Sequence, residues 1–178
     1  MNIAVFCSSS NHINIKFLQA GFRLGVAIAQ SGHTLVYGGA TGGLMDSVSE
    51  GAFSINGKVI GIISQAIIRM NRESLLPVKL IKVETLNERK SLMNNFADAF
   101  VVLPGSYGTL DEMLNVVASG IVGEHSKPLI LVNMDGFYNY FLQQIELMRR
   151  ELFIPSQERY KISVVQDIEQ CIEMINSL

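Results

Sequence analysis

Residues 99–112, Ala-Phe-Val-Val-Leu-Pro-Gly-Ser-Tyr-Gly-Thr-Leu-Asp-Glu, set a glycine-rich turn between a strand and a helix. Ala99–Leu103 is a short, unbroken apolar run rich in β-formers, the pattern of a central parallel strand covered on both faces. Thr109–Val117 reads as a helix with Asp111 and Glu112 in its first turn. Glycines between the two let the backbone approach a ligand, and the free N–H groups of a helix start point outward at it. An anion, and a phosphate above all, fits such a junction.

Two further turns of this kind accompany it. Tyr37-Gly38-Gly39-Ala40-Thr41-Gly42-Gly43 follows the strand His33–Tyr37 and precedes a helix running to about Ile55. Cys7-Ser8-Ser9-Ser10-Asn11 follows the strand Asn2–Phe6. In a parallel sheet such turns all lie at the carboxyl ends of the strands, so the three are expected along one edge, within reach of one ligand.

Strand and helix signals alternate along the rest of the chain. Strands are expected at Lys58–Ile63, Lys79–Val83, Lys127–Val132 and Ile162–Val165. Helices are expected from Asn87 to Ala97, from Tyr138 to Glu151 and from Asp167 onward, with a long loop between Ser64 and Pro77. No repeat, linker or low-complexity tract interrupts the series. The fold class is therefore α/β: residues 1–178 form a single Rossmann-like domain, a doubly wound parallel sheet with helices on both faces.

Composition narrows the function. A net charge of −2 without a basic run argues against nonspecific nucleic-acid or anionic-membrane binding. No signal peptide is recognisable, and no apolar run reaches the roughly 18 residues of a membrane span, so a cytoplasmic protein is expected. Cys7 and Cys171 fit no metal spacing and read as reduced thiols. His12, His33 and His125 show no zinc-site spacing, so no metal is expected. The first strand-to-helix turn lacks the G-x-G-x-x-G fingerprint and no G-x-x-x-x-G-K-[ST] run occurs, which disfavours dinucleotide and P-loop chemistry.

Glu88-Arg89-Lys90 opens the helix that follows Lys79–Val83, so it emerges on the same carboxyl edge as the glycine turns. An arginine there can bind phosphate or a polar base edge with its planar fork. At this point the chain resembles the Lonely Guy (LOG) proteins, cytokinin riboside 5′-monophosphate phosphoribohydrolases long mislabelled as lysine decarboxylases. The family motif P-G-G-x-G-T-x-x-E corresponds to Pro104–Glu112 and its E-R-K segment to Glu88–Lys90. The likeness extends through Val5-Phe6-Cys7, Gly43-Leu44-Met45, Val59–Ile63, Lys127-Pro128 and Asp135–Tyr138.

The resemblance implies Arg89 and Glu112 as the catalytic residues, a purine nucleoside monophosphate as substrate, no cofactor, and a homodimer. Substrate-binding residues expected from the turns and the resemblance together are Ser8, Ser9, Gly39, Thr41, Gly42, Lys90, Gly105, Ser106, Tyr107, Gly108 and Thr109. Successive helical residues point about 100° apart, so only one of Asp111 and Glu112 faces the ligand comfortably, and only the family likeness selects Glu112. Three family glycines are replaced, by Ser8, Ala40 and Ser106. Leu86-Asn87 stands where the family has M-H, and the region of Ala118–Gly120 replaces its W-A-Q, which bears on the base pocket and on cytokinin specificity. The alternatives are a noncatalytic ligand or molybdenum-cofactor carrier of similar fold, and a decarboxylase, for which no lysine sits in a recognisable pyridoxal-phosphate setting.

Overall fold

A computed structural model describes residues 1–178. Seven strands alternate with helices: β1 (Asn2–Phe6), α1 (Ile15–Gln30), β2 (Thr34–Tyr37), α2 (Gly43–Ser54), β3 (Lys58–Ser64), α3 (Gln65–Arg69), β4 (Lys79–Val83), α4 (Leu86–Phe96), β5 (Ala99–Val102), α5 (Tyr107–Val122), β6 (Leu129–Val132), α6 (Asn139–Arg150), β7 (Ser163–Val165) and α7 (Ile168–Asn176). A single 3-10 turn, Met134–Gly136, precedes α6. The strands form one sheet in the order β4-β3-β2-β1-β5-β6-β7, and every pairing is parallel. Strand order reverses between β1 and β5, and in open α/β sheets the crevice at the carboxyl side of that reversal is where ligands bind.

The central strands β5 and β6 are buried at every residue because helices cover both faces of the sheet. Alternation along each strand divides the core in two. Ile3, Val5, Leu35, Tyr37 and Val101 pack with α1, α2 and α7 on one face. Ala4, Phe6, Val36, Phe100 and Val102 pack with α4 and α5 on the other. Helices α1 and α2 cross at Gly25 and Gly51, where any side chain would run into the facing backbone. No helix is long and apolar enough to cross a membrane.

Three expectations are corrected. Helix α5 begins at Tyr107, two residues before Thr109, because Ser106 is the extended residue that admits the chain to the helix. Asp111 and Glu112 thereby leave the first turn, and their assignment to the helix dipole falls. The segment Ser64–Pro77 is not a plain loop: it carries α3 and a bridge between Ala40 and Glu73, and folds back over the carboxyl edge of the sheet. The strand expected from His33 starts at Thr34, because Gly32 at φ +73° ends the turn out of α1.

Candidate active site

The sheet order puts the ends of β2, β1 and β5 side by side, so the three turns meet along one edge. They are not equivalent there. At the start of α5, the backbone N–H groups of Ser106, Tyr107, Gly108 and Thr109 donate to nothing within the protein, and the first internal bond runs from Leu110 N to Ser106 O at 3.0 Å. Ser106 provides no side-chain cap. Nothing lies within 4 Å above Gly108, so the helix end is open. Thr109 is buried, with its hydroxyl against Gly105, where a Cβ would collide with it. Four unpaired donors at the positive end of a sixteen-residue helix make an anion seat.

At the start of α2 three of the four corresponding donors, the N–H groups of Gly42, Gly43 and Met45, are already satisfied. Asp46 turns its carboxylate back to accept from Gly42 N at 2.7 Å and Thr41 Oγ1 at 3.0 Å. Asn11 Oδ1 accepts from Gly43 N at 2.9 Å. Thr41 N donates to Arg72 O, and Gly39 O accepts from Ser74 N. Gly39, Thr41 and Gly42 therefore stand at the expected edge, but Thr41 and Gly42 are held by the protein's own Asp46. Arg72, from the segment between α3 and β4, donates to Ser9 O at 2.8 Å and Thr41 O at 3.1 Å, and ties the β1 and β2 turns together.

The β1 turn links the other two. Ser8 N donates to Pro104 O, Ser8 O accepts from Met45 N, and Ser8 Oγ accepts from Ser10 N at 3.1 Å. Between the β1 and β5 turns lies a cavity of about 240 Å³, with Ser8, Ser10, Gly105 and Ser106 at its polar rim and Phe17 and Leu44 among its apolar walls. Tyr107 is exposed beside the mouth of the anion seat.

On the α4 face, the residue pair Arg89 and Glu112 closes the site. Helix α4 starts with a reciprocal cap: Thr85 Oγ1 accepts from Glu88 N, and Glu88 Oε2 accepts from Glu84 N. One residue later Arg89 projects under the sheet edge, only 8% exposed. Its Nε donates to Ile62 O at 2.8 Å and to Gly38 O at 3.3 Å, and its Nη1 donates to Glu112 Oε1 at 2.5 Å. Gly38 is bare of necessity, since a Cβ would strike the guanidinium. Glu112 is 5% exposed. Burial pushes its carboxyl above the usual carboxylate range, and the Arg89 charge pulls part of the way back.

One oxygen of this carboxylate remains available. Glu112 Oε2 makes no hydrogen bond in the protein, and the only sealed polar side-chain atoms without partners are Tyr37 OH and Ser64 Oγ. Oε2 therefore keeps some access to solvent, as does Arg89 Nη2 by the same reasoning. Lys90 and Asp111 form a second, parallel pair at 2.9 Å, with the Asp111 side chain 58% exposed. The two carboxylates left open by helical geometry are thus separated by their partners on α4. Sequence reading did not find Asp46, Asn11 or Arg72; an acid four residues after Gly42 was the one local sign of the first.

A family model described as "possible lysine decarboxylase" matches residues 45–175. Over 175 residues the chain is 34% identical to the Arabidopsis thaliana cytokinin riboside 5′-monophosphate phosphoribohydrolase LOG1, covering 97% of this chain and 81% of the relative. The chain belongs to the LOG-type family. This LOG-type protein is also 40% identical over 159 residues to the Oryza sativa subsp. japonica protein LOG of the same activity, covering 88% of this chain and 65% of the relative. Its fold is shared with the molybdenum cofactor binding protein of Rippkaea orientalis, with a TM-score of 0.74 at 24% identity over 99% of this chain and 95% of the other. A molybdenum cofactor carrier protein from Chlamydomonas reinhardtii matches at a TM-score of 0.72 and 18% identity over 99% and 96% of the two chains. At those identities the two structures establish the fold alone.

Proposed function

We propose that this LOG-type protein hydrolyses the N-glycosidic bond of a purine nucleoside 5′-monophosphate, releasing the base and ribose 5-phosphate. The observation that carries the reading is a buried Arg89–Glu112 pair that leaves one carboxylate oxygen without a protein partner, its Glu112 standing on the helix whose start forms the anion seat. Glu112 lies in the second turn of α5, so a phosphate at the helix start places the sugar beside the carboxylate. The names of the rice and Arabidopsis relatives support the same reaction class.

The reading gives each part of the site a role. Backbone N–H groups of Ser106–Thr109 and the hydroxyls of Ser106 and Thr109 hold the phosphate. As the C1′–N bond breaks, its electron pair leaves with the base and the sugar becomes oxocarbenium-like, by analogy with glycoside hydrolysis. Glu112 Oε2 stabilises that cation and orients the water whose oxygen adds to C1′, while the base takes up a proton. Arg89 keeps Glu112 charged and offers Nη2 to the negative charge growing on the base or to the substrate itself. Lys90, held by Asp111, lines the outer side of the same surface.

This reading includes a cytoplasmic homodimer. Tyr107, Leu114 and Ile121 recur at seven-residue spacing as an exposed apolar stripe on α5, and Leu86 is exposed at the start of α4. Light scattering on the purified protein tests the dimer. Incubation with AMP and with isopentenyladenosine monophosphate, followed by assay of free base and ribose 5-phosphate, tests the activity. Tight nucleotide binding without turnover would replace the enzyme with a carrier.

A further inference from the structure

A basic recess lies at the opposite edge of the sheet from the glycine turns. It is a groove of about 520 Å³, in the range of small-molecule sites, where the chain enters β6 and β7. Lys127, Arg159 and Lys161 line it together with His125, and no carboxylate does. None of the three long cations takes part in any ion pair of the protein, although its net charge is −2, and of the three only Lys127 has a protein partner, its Nζ donating to Asn94 O at 2.6 Å.

The floor of the groove is fixed by its own bonds. Lys127 N donates to His125 Nδ1 at 3.2 Å, so His125 Nε2 carries the proton and donates to Val116 O at 3.0 Å. Tyr160 OH donates to Lys127 O at 2.6 Å, and its ring stands edge-on to His125. The Arg159 guanidinium lies over the bare Cα of Gly123, at φ +85°, where any Cβ would displace it. It is held there without a hydrogen bond to the protein, so its donors stay free. The negative end of α5 favours a cation at Arg159. It does not account for Lys161, while Lys127 is held by Asn94 O near the end of α4, and the carbonyls of Ser119 and Gly120 already accept from Glu124 N and Gly123 N.

We propose that this groove is a second anion site, shaped for an oligophosphate such as pyrophosphate or the phosphate chain of a nucleoside di- or triphosphate. Arg159 and Lys161, with the donors Lys127 Nζ keeps beyond its bond to Asn94 O, suit an extended anion better than one tetrahedral group, and the hydroxyls of Ser126 and Ser163 add donors. The site is independent of the proposed hydrolase reading, since it shares no residue with that cleft.

Titration of ¹⁵N-labelled protein with pyrophosphate, at constant ionic strength, tests it by location. Saturable amide shifts are expected at residues 123–127 and 159–163, with affinity about tenfold or more above that for inorganic phosphate. Lys161→Gln, at an exposed side chain that supports no fold contact, should weaken pyrophosphate about fivefold or more while leaving the spectrum otherwise unchanged. Arg159→Gln should do the same. Shifts confined to residues 105–109, equal affinity for phosphate, sulfate and pyrophosphate, or full affinity in Lys161→Gln would each overturn the proposal.

Discussion

Replacing Glu112 by Gln removes one charge and almost no volume, so its consequences can be worked out from the contacts of one residue. The partner left behind is Arg89, 8% exposed and still donating to the carbonyls of Ile62 and Gly38. Stripping a buried charge of its counter-ion costs about 3–5 kcal/mol when nothing replaces it. Here the amide oxygen of Gln can still accept from Nη1, and the wild-type carboxylate itself resists burial, as its raised pKa shows. The stability loss should therefore be about 1–3 kcal/mol, the scale of one charged hydrogen bond. For a chain of this size that is a fall in Tm of roughly 2–4 °C per kcal/mol, readable by calorimetry. Turnover of AMP should drop by about 10² or more, because a neutral amide cannot stabilise the sugar cation. The KM for AMP should move little, since the proposed phosphate seat is built of backbone N–H groups that Glu112 does not touch. The assay is chromatographic detection of free adenine across a substrate series. A folded Glu112→Gln protein turning over within about threefold of wild type would remove this carboxylate from the reaction.

In the wild type, kcat/KM should be lost toward acid with an apparent pKa above the ordinary glutamate value of about 4.3, and Glu112→Gln should lack that limb. Because the folded pKa is raised, the stability contribution of this group declines as pH rises from the unfolded value through the folded one, so Glu112→Gln should narrow its deficit at higher pH. AMP should be cleaved far faster than adenosine, and comparable kcat/KM values would refute the anion seat at α5. Gly38→Ala pushes a methyl into the Arg89 guanidinium and should lower turnover about tenfold or more in a protein that still folds, seen in the same assay. Asp111→Asn breaks only the exposed pair with Lys90, worth about 0–1 kcal/mol, so melting temperature and turnover should both stay near wild type. Ser106→Gly should weaken AMP binding by about 0.5–1.5 kcal/mol in calorimetric titration if the hydroxyl donates to phosphate.

What could be read from the sequence was local. Ala99–Leu103 and Leu129–Val132 are buried at every position because a doubly covered strand needs apolar residues throughout, and that pattern is visible without coordinates. The start of α5 was misread by two residues, since Tyr107 and Gly108 are poor helix formers and only the backbone of Ser106 marks the entry. Helix α3 was missed because five residues give too little periodicity to detect. The assignment of Arg89 to Glu112 and of Lys90 to Asp111 depends on how α4 lies against α5, a tertiary register that no spacing within either helix contains. Likewise, Arg72 reaches Ser9 across 63 residues of chain, and nothing near Arg72 in sequence announces that contact.

The unequal treatment of the two helix starts has a consequence for ligand choice. Asp46 is a captive counter-ion: bonded to Gly42 and Thr41, it does at α2 what a bound phosphate would do at α5. Of two neighbouring seats built on the same plan, the protein has permanently filled one with itself. A ligand bearing a single phosphate meets free donors at α5, whereas one that reached a second phosphate toward α2 would meet a carboxylate of its own sign. Selection for a mononucleotide is thus written into the scaffold by a residue that never needs to touch the substrate.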